Sequence, residues 1–238
     1  MSDTDGVARA LVVMAHPDDI DFGCAGTVAQ WTDSGTDVSY LLVTDGDAGG
    51  DDRIGTGVEM AELRRTEQRK AADVVGVHDV RFLGYPDGRV LPSLELRRDI
   101  ARVIRQVRPQ RMVIPSTERV WAHIGVSHPD HLATGEASIN AVYPDARNPH
   151  AHPELGDEGL PAWTVPEVWI AGGPAPDHFV DITAGIDRKI AALACHASQI
   201  PDIDALAVHL REHLATMATQ GGLPEGRYAE SFQVINTA

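Results

Sequence analysis

Leu11-Val12-Val13-Met14-Ala15-His16-Pro17-Asp18-Asp19 is an apolar run that ends abruptly in a histidine, a proline and two adjacent carboxylates. Such a run followed by a polar break reads as a buried strand closed by a turn. The break recurs far along the chain as His128-Pro129-Asp130-His131, downstream of Met112-Val113-Ile114. Each proline drives the histidine before it into extended geometry and suits the first position of a following helix, where its missing N–H costs nothing. The aspartate after it then falls in the first helical turn, where a carboxylate meets the positive end of the helix dipole.

Outward from these turns, strand and helix signals alternate. Strands are expected at 38–43, 80–83, 112–114, 168–171, 178–182 and 232–235, and helices at 23–31, 58–75, 94–107, 132–142, 186–199 and 204–220. Alternation of this kind implies βαβ units and an α/β fold with a mainly parallel sheet flanked by helices. The absence of a linker or internal repeat favours one domain over residues 1–238. Residues 143–166, rich in proline and glycine, read as a long loop, and a loop of that length is expected at the rim of the site.

The charge balance narrows the partners. A formal net charge of −15 over 238 residues opposes nucleic-acid binding, which needs a basic face. No apolar run approaches the ~20 residues of a membrane span, and the polar start Met1-Ser2-Asp3-Thr4-Asp5-Gly6 lacks the layout of a signal peptide. Cys24 and Cys195 form no CxxC, so neither a thiolate zinc site nor a disulfide framework is written here. A cytoplasmic protein is the expectation.

In a parallel sheet both His-Pro-Asp turns lie at the carboxyl ends of strands, where ligands of open α/β folds bind. That brings His16, Asp18, Asp19, His128, Asp130 and His131 to one rim. Imidazoles and carboxylates without thiolates suit Zn²⁺ or Fe²⁺, and a catalytic zinc takes three protein ligands plus water. Six candidates for three positions leave groups for acid–base work, and spacing alone does not assign them. A dinucleotide site is the rival for a turn after the first strand. It needs G-x-G-x-x-G and a free helix N-terminus, whereas here Asp18, Asp19 and Asp21 occupy the approach and would repel phosphate.

Weaker signals have simpler explanations. His209-Leu210-Arg211-Glu212-His213 matches H-x-x-E-H, but its histidines flank the apolar stripe of a helix and read as boundary or surface positions. Asp45-Gly46-Asp47 is a short acidic turn. His150-Ala151-His152-Pro153 echoes the first turn without its carboxylates, and Cys24 reads as a small packed residue.

The Ala-His-Pro-Asp-Asp motif and the later His-x-Asp-His resemble the deacetylase family that includes N-acetylglucosaminyl-phosphatidylinositol de-N-acetylase and the bacterial LmbE-like enzymes. The likeness extends through Thr44-Asp45-Gly46, Arg64 and Glu67 to Tyr228-Ala229-Glu230 and Phe232, which is essentially the whole chain. The resemblance implies a single Rossmann-like domain and a zinc-dependent hydrolase of the N-acyl group of an amino sugar or its conjugate. It implies that His16, Asp19 and His131 ligate the metal and that Asp18 is the general base. It further implies that His128 is a charged partner of the tetrahedral intermediate held by Asp130, and that Arg64 and Asp87 lie in the substrate pocket. It also makes a homo-oligomer an expectation. An amidase on a sugar-linked thiol-cofactor conjugate and a non-catalytic metal–sugar module are the alternatives. One departure stands out: Ile20 replaces the glutamate that commonly follows the two aspartates, with Asp21 next to it.

Overall fold

The computed structural model describes residues 6–50 and 57–238. Strands β1 (Arg9–Met14), β2 (Asp37–Thr44), β3 (Asp79–Tyr85), β4 (Arg111–Pro115), β5 (Glu167–Ala171), β6 (His178–Asp181) and β7 (Ala229–Asn236) form one sheet in the order β3-β2-β1-β4-β5-β7-β6. The pairs among β3, β2, β1, β4 and β5 are parallel, and β7 runs antiparallel to both of its neighbours. Helices α1 (Asp19–Asp33), α2 (Gly57–Val74), α3 (Leu94–Val107), α4 (Pro129–Asn140), α5 (Pro153–Asp157), α6 (Ile186–Leu193) and α7 (Ile203–Gln220) complete the domain. Among the described residues no helix is long and apolar enough to cross a membrane.

Strand period explains why the sheet needs cover on both faces. Along β1, Val12 and Met14 join Tyr40, Leu42 and Trp31 on one side, under α1, α6 and α7. Leu11 and Val13 join Leu41, Val43, Ile100 and Ala137 on the other, under α3 and α4. A sheet buried on both faces needs continuous apolar strands, which is what Leu11-Val12-Val13-Met14 supplies.

The order reverses between β1 and β4. The chain winds β1-β2-β3 in one direction, then returns through α3 to place β4 on the free side of β1. The crevice above this reversal is where α/β sheets take ligands, and both His-Pro-Asp turns follow the two strands that border it.

Three expectations are revised. First, α1 begins at Asp19 rather than Gly23, so the second aspartate is itself the first helical residue. Second, α6 ends at Leu193 rather than continuing to Gln199, which lets His196 fold inward. Third, residues 143–166 are not at the rim of the crevice. They follow α4, which carries the chain from the crevice to the opposite end of the sheet, and they contain α5. Arg105 of α3 donates to the carbonyls of Asp145, Ala146 and Asn148. Trp163 Nε1 donates to Pro109 O, just before β4 starts (2.8 Å).

Candidate metal centre

Donor groups of three residues from the two turns converge at the crevice. His16 Nδ1 lies 3.2 Å from Asp19 Oδ2 and 3.3 Å from His131 Nε2. His131 Nε2 lies 3.0 Å from Asp19 Oδ1. Tetrahedral bonds of ~2.1 Å place donor atoms ~3.4 Å apart, close to the His16–His131 distance and to the distance from each imidazole to one Asp19 oxygen. Lone pairs facing one another at this range repel unless a cation or protons stand between them, and two imidazoles with one carboxylate suit Zn²⁺ or Fe²⁺. The residues present therefore fit a metal ion. A second group that could hold a metal, His16, His128 and Asp130, shares His16 with the first.

Each donor is oriented by its other side. His131 Nδ1 faces Val126 O at 3.1 Å, which places a proton on Nδ1 and leaves Nε2 bare toward the site. His16 Nε2 faces Asp87 Oδ1 at 3.1 Å and Asp130 Oδ2 at 3.3 Å. Burial alone would lower the His16 pKa, but bonds to Asp130, Asp19 and Asp87 push it up to about 12. Without an ion, a proton on His16 supplies the positive charge this acidic pocket demands. Burial would likewise raise Asp19, yet His131 and His16 hold it well below the ordinary carboxylate range.

Asp18 is built differently from its neighbour. Its backbone takes φ 95°, a left-handed conformation that costs a non-glycine residue ~1–3 kcal/mol and persists only where surroundings enforce it. Two residues one turn apart on α2 do so. Gln68 Oε1 accepts from Asp18 N at 2.8 Å. Arg64 donates to Pro17 O at 2.6 Å and to Asp18 Oδ2 at 3.2 Å. Burial and the adjacent Asp19 charge raise the Asp18 carboxyl to about 7, with Arg64, His196 and His16 opposing them.

The structure gives two pairs of candidate residues partners that the resemblance does not imply. The Asp130 carboxylate does not hold His128: it turns to His16 and accepts from Gly88 N (2.7 Å) and Val90 N (3.2 Å). His128 instead accepts from Asp130 N at Nδ1, at 3.2 Å. A ring whose Nδ1 is an acceptor carries its proton on Nε2, so His128 offers a neutral donor. Burial, then the His16 charge, lower its pKa further, against Asp130. Arg64 and Asp87, expected among substrate contacts, are enclosed. Arg64 is 4% exposed and bonds to Pro17, Asp18 and Gly46. Asp87 meets His16 and accepts from Ala48 N.

None of the weaker motifs supplies a ligand to the triad, although His213 lines the cavity beside Asp19 and His131, and Asp47 accepts from Asp87 N. His209 and Glu212 are exposed and 3.7 Å from each other. His152 pairs with Asp145 at the far end of the sheet, and Cys24 is fully buried.

Sequence reasoning missed the support beneath α1. Asp21 Oδ2 accepts from Gln68 Nε2 (2.9 Å) and meets His196 Nε2 (2.8 Å), so a buried chain runs from His196 through Asp21 and Gln68 to the Asp18 backbone. Asp21 thus fills a buried polar role beside Ile20, which is wholly in the core. Alongside it, Lys189 Nζ donates to the carbonyls of Asp21 and Phe22 and to Glu230 Oε1, at 2.6–2.8 Å. Glu230 in turn accepts from the N–H groups of Gly26 and Thr27. A fully buried ion pair is thereby inserted into the hydrogen-bond ladder of α1. Removing one partner strands the other charge, so Lys189→Met is expected to cost ~3–5 kcal/mol in urea unfolding. A loss under ~1 kcal/mol would show that the pair is energetically idle.

Residues 11–142 match the family described as GlcNAc-PI de-N-acetylase (PIG-L). The chain belongs to this family. It is 34% identical over 230 residues to the diacetylchitobiose deacetylase of Thermococcus kodakarensis, covering 96% of this chain and 84% of that protein. It is 31% identical over 198 residues to a probable N-acetyl-alpha-D-glucosaminyl L-malate deacetylase 2 of Bacillus cereus, covering 80% and 83%. Among solved structures, the N,N'-diacetylchitobiose deacetylase of Pyrococcus horikoshii superposes with a TM-score of 0.89 at 29% identity, over 97% of this chain and 85% of that one. The family match covers strands β1 to β4 and both His-Pro-Asp turns, and the likeness to the Pyrococcus structure extends over the rest of the sheet.

Proposed function

We propose that this PIG-L family protein is a metal-dependent hydrolase of the N-acyl group of an amino sugar or amino-sugar conjugate. The carrying observation is the convergence of His16 Nδ1, Asp19 and His131 Nε2 within 3.3 Å, with the near-neutral Asp18 carboxyl beside them. The deacetylases named above support the amide bond and the sugar.

His16, Asp19 and His131 would hold zinc, and Fe²⁺ suits the same donors. When bound, the ion supplies a Lewis acid that lowers the pKa of water toward ~7 and polarises the amide carbonyl. Asp18 takes the proton of the attacking water and returns it to the leaving nitrogen. A buried carboxyl that Asp19 raises above the ordinary carboxylate range is suited to both transfers. Arg64 and Gln68 fix Asp18 in a conformation it would not adopt alone. His128 donates from Nε2 to the oxygen that gains charge, while Asp130 and Asp87 keep the His16 ring oriented. The products are a free amine and an acid.

The test is acid release from a panel of N-acetylglucosamine, N,N'-diacetylchitobiose and N-acetylglucosaminyl conjugates by zinc-loaded protein. Appearance of free amine with equimolar acid is the expected result. No release from any member contradicts the proposal.

A further inference from the structure

The left-handed backbone of Asp18 is held by residues outside the donor triad. Gln68 is a two-ended link, with Oε1 accepting from Asp18 N and Nε2 donating to Asp21 Oδ2. The two ends are not interchangeable. Turned over, the amide would set its NH₂ against the Asp18 N–H and its oxygen against the Asp21 carboxylate, donor to donor and acceptor to acceptor. Asp21 thereby selects the one orientation that presents an acceptor to Asp18. Asp21, Gln68 and His196 are fully enclosed, where a polar group left unpaired is most costly.

Asp21 is in turn set by the connection between α6 and α7. His196 Nε2 meets the same Oδ2 at 2.8 Å. Two residues on, Ser198 donates to Glu67, the neighbour of Gln68, from its N–H (2.9 Å) and its hydroxyl (2.7 Å). The N–H groups of Gln199 and Ile200 both donate to His196 O at 2.9 Å and close the turn. One short turn thus grips α1 at Asp21 and α2 at Glu67, the two helices that meet at Asp18. We infer that His196 is a positioning residue for the hydrolysis, acting through Asp21 and Gln68 on the Asp18 backbone. The inference rests on the reading of Asp18 as the general base. His196 belongs neither to the donor triad nor to the wall of the cavity beside it, so its loss acts on the rate and spares binding. A reacting group misplaced by ~1 Å costs ~10²-fold in rate.

The experiment measures kcat, KM and zinc content with the most rapidly hydrolysed member of the panel above. It compares zinc-loaded wild type, His196→Leu, His196→Gln, Gln68→Leu and the double variant of His196→Leu with Gln68→Leu. Glutamine keeps an N–H donor near the place of the ring Nε2, and leucine removes it. In His196→Leu, kcat is expected to fall ~10–100-fold with KM and zinc content within ~2-fold of wild type. In His196→Gln, kcat is expected to return to within ~3-fold of wild type. Once Gln68→Leu has cut the link, adding His196→Leu is expected to lower kcat by less than ~3-fold more. If His196→Leu fails to fold, His196→Asn takes its place, because its shorter amide stops short of Asp21. An unchanged kcat in His196→Leu overturns the inference and leaves the N-acyl hydrolase reading intact. A loss carried by KM or by zinc content does the same, as does a full multiplicative loss in the double variant or no recovery in His196→Gln. No hydrolysis by the wild type removes both the reading and the inference.

Discussion

Replacing Asp18 by asparagine is expected to lower kcat/KM by ~10²–10⁴ while zinc content stays at one ion per chain. The two aspartates are adjacent, yet their surroundings divide the work. Asp19 faces two imidazoles and stays ionised far below neutrality. Asp18 faces Asp19 and is buried, which raises it to about 7, and Arg64 is the nearest group opposing that rise. A base must be unprotonated to accept a proton, so kcat/KM falls as pH drops through the Asp18 pKa. Zinc adds positive charge next to this carboxyl and places that limb below 7. In Asp18→Asn the limb disappears, since asparagine does not titrate. Loss of zinc together with activity would instead make Asp18 a ligand. Near-normal hydrolysis with the metal retained would remove it from the mechanism.

Stripping the metal with a chelator is expected to abolish hydrolysis, and one equivalent of zinc per chain to restore it. The metal-free site also predicts a proton balance. His16, pushed up to about 12, is protonated without zinc and must be neutral to bind it. Binding therefore releases at least one proton, and the apparent Kd falls ~10-fold per unit rise across roughly pH 6–8. Calorimetry in buffers of different ionisation enthalpy reads the released proton directly. Binding without proton release would show that His16 is not displaced from its charged form and is not a ligand.

Much of this arrangement is legible in the residues. Four apolar residues before His16 and three near Arg111–Pro115 set two adjacent buried strands, and the prolines place the histidines at their ends. The start of α1 was harder to read, because Asp18-Asp19-Ile20-Asp21 suits a turn as well as a first helical turn. Only the core position of Ile20 and the hidden partners of Asp21 decide it. Gln68 was within reach of a periodicity argument, since it lies one helical turn beyond Arg64 on the same face. His196 was not, because its partner is 175 residues away and no local pattern announces a buried pair. Composition alone does not place the 143–166 segment. A helix of 12 residues rises ~18 Å, enough to carry the chain from the crevice to the other end of the sheet. Direction, not proline content, fixes where that segment lies.

The roles of Asp130 and His128 turn on the same kind of detail. Spacing puts them together, and the structure does too, but through a backbone N–H rather than a carboxylate. That turns His128 Nδ1 to the Asp130 N–H and the Asp130 carboxylate to His16, which gives His16 two carboxylates behind the nitrogen that faces away from Asp19 and His131.

Zinc-loaded crystals measured on both sides of the zinc absorption edge address the central claim most directly, because two overlapping donor groups share His16. The expected result is a single anomalous peak bonded to His16 Nδ1, Asp19 and His131 Nε2. A peak on His16, His128 and Asp130, or no ion at the crevice, would contradict it.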